Sequence, residues 1–280
     1  MKITILMDNN AEEGFASEHG ISLWIETPEI RILFDTGQSR LFIDNARKLG
    51  ISLEKTDVIV LSHGHYDHTG GLADILDIAS KAQLILHPNA VLPRYSVYPG
   101  KTPRSIGMPD SALASIDRLK KDRTTWVIQA RKIASDIGVT GAIPRETPYE
   151  DVGGPFFLDP EGKREDTLVD DQALWINTDE GLVICAGCCH SGLINTLNYI
   201  RRLNANSKIR LVIGGFHLVN ASAERMERTL EALMKDPPEK LAPCHCTGER
   251  ATEFLKEKMP KRILPCRAGT TWGQTRMALS

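Results

Sequence analysis

The chain has 280 residues, of which 41% are hydrophobic and 25% are charged. These fractions are ordinary for a globular protein and leave enough apolar side chains for one large core. The formal net charge of −2 gives no sign of a nucleic-acid or anionic-membrane partner. No apolar run approaches the roughly 20 residues that a membrane helix needs. We therefore expect neither a nucleic-acid nor a membrane partner, and the sequence leaves the oligomeric state open.

The cysteines are confined to the second half of the chain. They are Cys185, Cys188, Cys189, Cys244, Cys246 and Cys266. The N-terminal residues lack the long apolar core and the small-residue cleavage site of a secretory signal peptide. Without an export signal, reduced thiols are expected rather than disulfides. We therefore predict a cytoplasmic location.

The first part of the chain predicts alternating strands and helices. Residues 23–37 (LWIETPEIRILFDTG) predict two strands joined by a tight turn. The apolar spacing of residues 39–50 predicts a helix that stops at its final glycine. Strands follow at 57–63 and 83–88, with a helix between them.

Residues 89–172 differ in composition from the segments on either side. Residues 93–110 (PRYSVYPGKTPRSIGMPD) are rich in Pro, Gly, Tyr and Arg, and a strand is predicted over 124–130. Binding loops are often longer than simple connections. We interpret this segment as an insertion that lines or covers a site, with a surface elaboration as the alternative.

The second part of the chain repeats the order of the first. Residues 174–187 (LWINTDEGLVICAG) again predict strand, turn and strand, and residues 191–204 predict a helix. Strands follow at 209–217 and 240–246, with a helix between them. The order β-β-α-β-α-β therefore occurs twice, with a histidine near the end of corresponding strands.

This repeat predicts the fold class, which is α/β (α+β). Two halves with apolar sheets and flanking helices can bury both sheets against each other and leave the helices outside. We predict a single domain over 1–280, a four-layer αββα sandwich. Its first half is 1–88, the insertion is about 89–172 and its second half is 173–280.

The segment VIVLSHGHYDHTGGL (58–72) concentrates metal-ligating residues directly after a buried-type strand. Alternate residues of an extended chain point the same way, so His63 and His65 can reach one ion. Asp67 and His68 enter the turn and can face a second ion. Imidazole and carboxylate suit Zn²⁺, Fe or Mn²⁺. We expect one or two divalent ions, with Zn²⁺ as the first choice and Fe, Mn or Mg as alternatives.

The block HGHYDH resembles the HxHxDH signature of the metallo-β-lactamase superfamily, and the resemblance implies its αββα fold. A narrower resemblance is carried by LFDTGQS (33–39), GVTGAIPRETPYE (138–150), GCCHSG (187–192), GGFHL (214–218) and PCHCTG (243–248). These blocks are similar to the family of the pterin-transferring synthase of methanopterin biosynthesis and its bacterial relatives.

The resemblance implies that further metal ligands come from the second half, where His190 and His245 are the candidates. Many superfamily members have a bridging aspartate after a strand and a glycine. Here Gly187 is followed by Cys188, Cys189 and His190. His190, Cys188 or Asp171 could replace that carboxylate, and the number of ions stays open.

Other residues are candidates for supporting roles. We expect Asp35 to accept the other N–H of a ligand histidine. Asp67 and His217 are predicted catalytic residues, although His217 could instead support a ligand. His19 has no predicted partner, and His87 resembles a structural residue at a strand end. Contacts with an anionic or ring-bearing substrate, or alternatively a solvated face, are predicted for Arg94, Tyr95, Arg104 and Arg145.

The predicted function is that of a metal-dependent hydrolase. Metal-bound hydroxide at such a site would attack an ester, a lactone or a phosphoester. The partner would be a small, anionic or phosphorylated substrate. The alternative is a transferase that moves a dihydropterin from its diphosphate to an arylamine ribose phosphate. A cysteine-ligated iron–sulfur or redox protein is a further alternative.

Overall fold

The computed structural model describes residues 1–273, so residues 274–280 of the predicted second half lie outside the described residues. The chain forms two compact units. Unit 1 contains Met1–Val127, Pro155–Asp166 and the segment from Arg267 onward. Unit 2 contains Ile128–Gly154 and Thr167–Cys266. None of the helices in the described residues is long and apolar enough to cross a membrane.

The described residues form strands and helices that alternate through most of the chain. The strands are β1 (Lys2–Met7), β2 (Ser22–Glu26), β3 (Arg31–Phe34), β4 (Val58–Val60), β5 (Gln83–Leu86), β6 (Tyr95–Ser96), β7 (Arg104–Ser105), β8 (Thr124–Trp126), β9 (Arg131–Ala134), β10 (Ile137–Val139), β11 (Phe156–Phe157), β12 (Ala173–Thr178), β13 (Gly181–Ala186), β14 (Ile209–Gly215), β15 (Lys240–Cys244) and β16 (Thr271–Gly273). The helices are α1 (Leu41–Lys48), α2 (Tyr66–Thr69), α3 (Leu72–Ile78), α4 (Asp110–Arg118), α5 (Leu193–Leu203), α6 (Ala223–Lys235) and α7 (Glu249–Lys258).

Unit 1 is built on a sheet with the strand order β16-β1-β2-β3-β4-β5-β8. Strands β2 and β3 are antiparallel, whereas β3, β4 and β5 are parallel to one another. One apolar cluster joins this sheet to α1, α3 and α4 and includes Trp24, Phe42 and Ile75, all buried. Gly50 follows α1 with a φ of 68°, which is the left-handed conformation that commonly ends a helix. The predicted helix stop is therefore confirmed.

Unit 2 is built on a sheet with the strand order β15-β14-β13-β12-β10-β9. Strands β12 and β13 are antiparallel, whereas β13, β14 and β15 are parallel to one another. This repeats the pattern of β2 to β5, with helices in the same places, so the predicted internal repeat is confirmed. A second apolar cluster joins this sheet to α5, α6 and α7 and includes Ile184, Leu197 and Leu255.

The segment predicted as an insertion contributes strands to both units. Strand β8 extends the sheet of unit 1, and β9 and β10 extend the sheet of unit 2. Strands β6, β7 and β11 form a separate three-stranded sheet. The strand predicted over 124–130 is shorter than expected and ends at Trp126. The chain passes from unit 1 to unit 2 directly afterwards, at Val127.

Candidate metal centre

Four chemistry-bearing residues with strained backbones follow strands of the repeat. Asp35, Cys189, His217 and His245 have φ values of 58°, 54°, 48° and 50°. They come shortly after β3, β13, β14 and β15, respectively. Non-glycine residues in this left-handed region cost free energy and cluster at functional sites. In each unit, the carboxyl ends of these strands are therefore where functional side chains are expected.

The HGHYDH loop of unit 1 follows β4 and enters the short helix α2. His63, His65, Asp67 and His68 are all buried. His63 Nε2 lies 3.0 Å from His65 Nδ1, and the ring centroids of His63 and His68 are 4.1 Å apart. His68 Nε2 lies 3.7 Å from Asp67 Oδ2. Four donor side chains thus converge within one loop.

A carboxylate fixes one of these imidazoles. Asp35 Oδ2 lies 2.7 Å from His68 Nδ1, and Asp35 also accepts hydrogen bonds from the backbone N–H and the hydroxyl of Ser62, each at 2.7 Å. Asp35 and His68 are completely buried. With Nδ1 directed at a carboxylate, His68 Nε2 is the nitrogen that can bind an ion. The contact that the prediction for Asp35 requires is present.

The donor types present in the unit 1 loop suit a transition-metal ion. Three imidazoles and one carboxylate are the donors that Zn²⁺, Fe and Mn²⁺ accept. Burial also removes competing water from most of their surface.

His19 is a residue that the sequence reasoning missed. Its Nε2 lies 3.1 Å from Asp67 Oδ2, and its side chain is 53% exposed. Its Nδ1 lies 3.3 Å from the side-chain amide nitrogen of Asn9. His19 lies in a loop that is far from Asp67 in sequence. No local spacing therefore signals the contact between them.

Unit 2 carries a second group of donors at the ends of β13, β14 and β15. Ligand atoms of Cys188, His190 and His217 lie within 4.8 Å of one another. The same limit holds for Cys188, His245 and Cys246. All five side chains are buried. Cys188 belongs to both groups, so it is the common member of this second cluster.

Backbone contacts hold the two histidines of the first group. His190 Nδ1 lies 2.8 Å from the carbonyl oxygen of Val152, and its ring centroid is 4.2 Å from that of His217. A Cβ at Gly153 would overlap the His217 ring. Gly153 is therefore required where the backbone passes against His217.

The thiols of unit 2 differ in ionisation. Burial alone would raise the pKa of the Cys246 thiol, but its hydrogen bond with Cys188 and the nearby His245 and His217 hold that pKa well below its usual value. Burial raises the pKa of the Cys185 and Cys189 thiols instead. The surroundings therefore lower the pKa of the Cys246 thiol and raise that of the other two thiols.

Asp171 was one candidate for the missing bridging carboxylate. It is buried, and its Oδ2 accepts a hydrogen bond of 2.7 Å from the backbone N–H of Ser191. Burial raises its pKa to about 6. The structure thus places Asp171 at the backbone next to His190, where it stabilises the turn into α5.

The four predicted substrate contacts lie in different settings. Arg94 is buried and its Nε donates to Asp166 Oδ2 at 2.6 Å, and a Cβ at Gly64 would overlap its Nη1. The Arg94 guanidinium is therefore paired with Asp166 and lies against Gly64 of the HGHYDH loop. Tyr95 is half-buried in β6. Arg104 is exposed and its Nη2 donates to the Tyr66 hydroxyl at 2.8 Å.

Arg145, the last of the four, is exposed in unit 2. It donates hydrogen bonds to the backbone carbonyls of His190 and Thr167 at 2.6 and 2.7 Å. It therefore supports the loop that presents His190. Substrate contact by any of the four residues stays a prediction. His87 accepts a hydrogen bond of 3.1 Å from the backbone N–H of Asn89, as a structural strand-end residue would.

The chain is similar to known proteins over most of its length. The chain is 37% identical over 256 residues to an uncharacterized protein of Methanocaldococcus jannaschii, covering 91% of this chain and 94% of that protein. It is 31% identical over 267 residues to the 7,8-dihydropterin-6-methyl-4-(beta-D-ribofuranosyl)-aminobenzene-5'-phosphate synthase of the same organism, covering 91% and 90%.

The fold is likewise that of known structures. A crystal structure of a metal-dependent hydrolase of the beta-lactamase superfamily has a TM-score of 0.83 and 34% identity, covering 98% of each chain. The predicted α/β sandwich fold is thereby confirmed. The family model of the metallo-beta-lactamase superfamily matches residues 20–193. The chain belongs to the metallo-beta-lactamase superfamily.

Proposed function

We propose that the protein is a metal-dependent hydrolase that acts on an ester, a lactone or a phosphoester. The observation that carries this proposal is the buried group of His63, His65, Asp67 and His68 in one loop. A divalent ion held there would polarise a carbonyl or phosphoryl oxygen and lower the pKa of water towards about 7. Zn²⁺ is the ion that we favour.

The residues around the loop would hold the donors in place. Asp35 directs His68 through Nδ1, and Ser62 is bonded to the same carboxylate. We propose that Asp67 also takes part in proton transfer, because its carboxylate lies beside both His19 and His68. His217 is proposed to bind the substrate or to carry a proton, since its buried ring follows β14. His190 and His245 as further ligands stay predictions.

The substrate that we propose is small and anionic. Arg104 is exposed in β7 and keeps its guanidinium against the Tyr66 ring, with 5.1 Å to the centroid. A guanidinium and a phenol ring together suit a phosphorylated or aromatic group. None of the six cysteines, all within the described residues, is in a disulfide, which suits a reducing compartment, and we propose a cytoplasmic location.

A second candidate function is pterin transfer. The 31% identity to the named synthase over 91% of this chain favours it. In that reaction an arylamine would attack a pterin methylene while diphosphate leaves. Exclusion of water until the amine binds would then be needed to prevent hydrolysis of the activated pterin.

One set of assays separates the two functions. The protein is loaded with Zn²⁺ or Mn²⁺ and incubated with activated phosphodiesters, esters and lactones. It is also incubated with hydroxymethyl-dihydropterin diphosphate, with and without an arylamine ribose phosphate. Turnover of a simple ester, dependent on His63 and His65, is the expected result. Coupled product that forms only with both pterin and amine, without ester turnover, would overturn the hydrolase proposal.

A further inference from the structure

We propose that Cys188 and Cys246 are thiolate ligands, so that unit 2 binds a transition-metal ion through sulfur as well as imidazole. The third ligand of this set is His245. The inference rests on the proposed function only in requiring that the chain bind a metal ion. It is independent of which reaction that ion serves.

The distances in unit 2 suit such an ion. Ligand atoms of Cys188, His245 and Cys246 all lie within 4.8 Å of one another. Zn–S bonds of about 2.3 Å and Zn–N bonds of about 2.0 Å in tetrahedral geometry place neighbouring ligand atoms roughly 3.3 to 3.8 Å apart. Side-chain movements of about 1 Å would be enough to close that difference. The three ligand atoms are therefore close enough for one ion to be proposed among them.

The backbone is shaped around the Cys246 sulfur. A Cβ at Gly215 would lie 2.5 Å from Cys246 Sγ, so only glycine leaves room for the thiol at the end of β14. Two hydrogen bonds join the turn that carries Cys246 to the segment that follows β14. Phe216 N donates to Thr247 Oγ1 at 3.0 Å, and Val219 N donates to the Cys246 carbonyl at 3.2 Å.

His245 supports the same conclusion. It has a φ of 50°, a conformation that costs free energy for a residue with a Cβ. With this backbone conformation, the neighbouring residues His245 and Cys246 both contribute a ligand atom to the same group. Among the described residues, the groups that could hold an ion include Cys188 and Cys246 but none of the other four cysteines.

Sulfur ligation has consequences for metal choice. Each thiol loses its proton to solvent when it binds the ion, so two thiolates and a neutral imidazole would balance a divalent charge. Thiolates favour Zn²⁺ and other soft ions over Mg²⁺. Mg²⁺, one of the ions considered from the sequence, is therefore disfavoured at this position.

Cobalt substitution tests the proposal without relying on turnover. The full chain is stripped of metal and loaded with Co²⁺, and its absorption spectrum is recorded. Thiolate ligation gives an intense sulfur-to-cobalt charge-transfer band in the near ultraviolet, which histidine and carboxylate ligands do not give. We expect this band in the unaltered protein. Its absence from protein that has bound Co²⁺ would overturn the proposal.

Paired variants locate the sulfur. Cys188→Ser and Cys246→Ser should each reduce the band by at least half, and the double variant should abolish it. The matched controls Cys189→Ala and Cys244→Ala remove a neighbouring buried thiol and should keep the full band. Loss of the band in the controls but not in the test variants would contradict the assignment. Circular dichroism confirms that each variant is folded, and Gly215→Ala serves as a second variant that should weaken the band by displacing Cys246.

The result is distinct from a failure of the proposed function. A charge-transfer band in a protein that hydrolyses no ester would leave the thiolate site intact and remove the hydrolase proposal. Ester turnover with Co²⁺ but without the band would support the hydrolase proposal and overturn the thiolate site.

Discussion

The two donor clusters differ in how they are assembled. In unit 1 the donors occupy residues 63–68, one loop after one strand. In unit 2 the donors come from the ends of β13, β14 and β15, which are far apart in sequence. The first cluster is a local motif, whereas the second exists only once three strands are paired in register. The fold is therefore a precondition for the second cluster.

Corresponding strands of the internal repeat are followed by different residues in the two units. His63 follows β4, and His217 follows the equivalent strand β14. Asp35 follows β3, whereas Cys188 follows β13. Asp35 directs His68 in unit 1, whereas a buried thiol follows β13 in unit 2. Both units therefore present imidazoles, to which unit 1 adds a carboxylate and unit 2 adds thiols.

Removing two imidazoles from the unit 1 loop has the largest expected effect. The double variant His63→Ala, His65→Ala should lose most of the bound metal and more than about 100-fold in activity, because loss of a supporting residue alone costs about 10- to 100-fold. Elemental analysis and ester turnover measure it. The matched control is His87→Ala, whose side chain binds a backbone N–H outside the loop. Unchanged metal content in the double variant would show that this loop is not the principal site.

Breaking the ion pair beneath that loop should be the next largest effect. Arg94 and Asp166 are 1% and 6% exposed, and removing one partner of a buried pair costs about 3–5 kcal/mol. Arg94→Met should lower the free energy of unfolding by that amount in denaturant titration. Arg202→Ala is the control, since its pair with Glu146 is about half exposed and is worth at most about 1 kcal/mol. Equal losses in the two variants would show that burial does not set the cost.

Asp35→Asn should have an intermediate effect. The amide keeps the size of the side chain but presents one donor group and loses the negative charge beside His68 Nδ1. Metal affinity or activity should fall about 10- to 100-fold. A titration with a chromophoric chelator measures affinity directly. Asp44→Asn, an exposed carboxylate on α1 paired with Arg47, should leave affinity unchanged, and equal losses in both variants would contradict the role of Asp35.

These contacts show what the sequence could and could not predict. The strands and the repeat could be predicted because hydrophobic periodicity is a local property of the sequence. The HGHYDH donors could be predicted because they are close together in the chain. Arg94 is one of the predicted substrate contacts, and its guanidinium packs against Gly64 and Asp166. That pairing joins residues 72 positions apart, which no local pattern encodes. The closeness of Cys188 to Cys246 depends in the same way on strand pairing.

His19 gives the smallest expected effect and completes the contrast between the clusters. It lies 3.1 Å from Asp67 but is half exposed, so solvent screens the pair and its contribution should be at most about 1 kcal/mol, or roughly fivefold in affinity. His19→Ala should therefore weaken metal binding less than fivefold by chelator titration. His19→Gln retains a donor for Asp67 and should be closer to the unaltered protein. A loss as large as that of Asp35→Asn would instead mean that His19 binds the ion, which would extend the unit 1 cluster to a residue outside its loop.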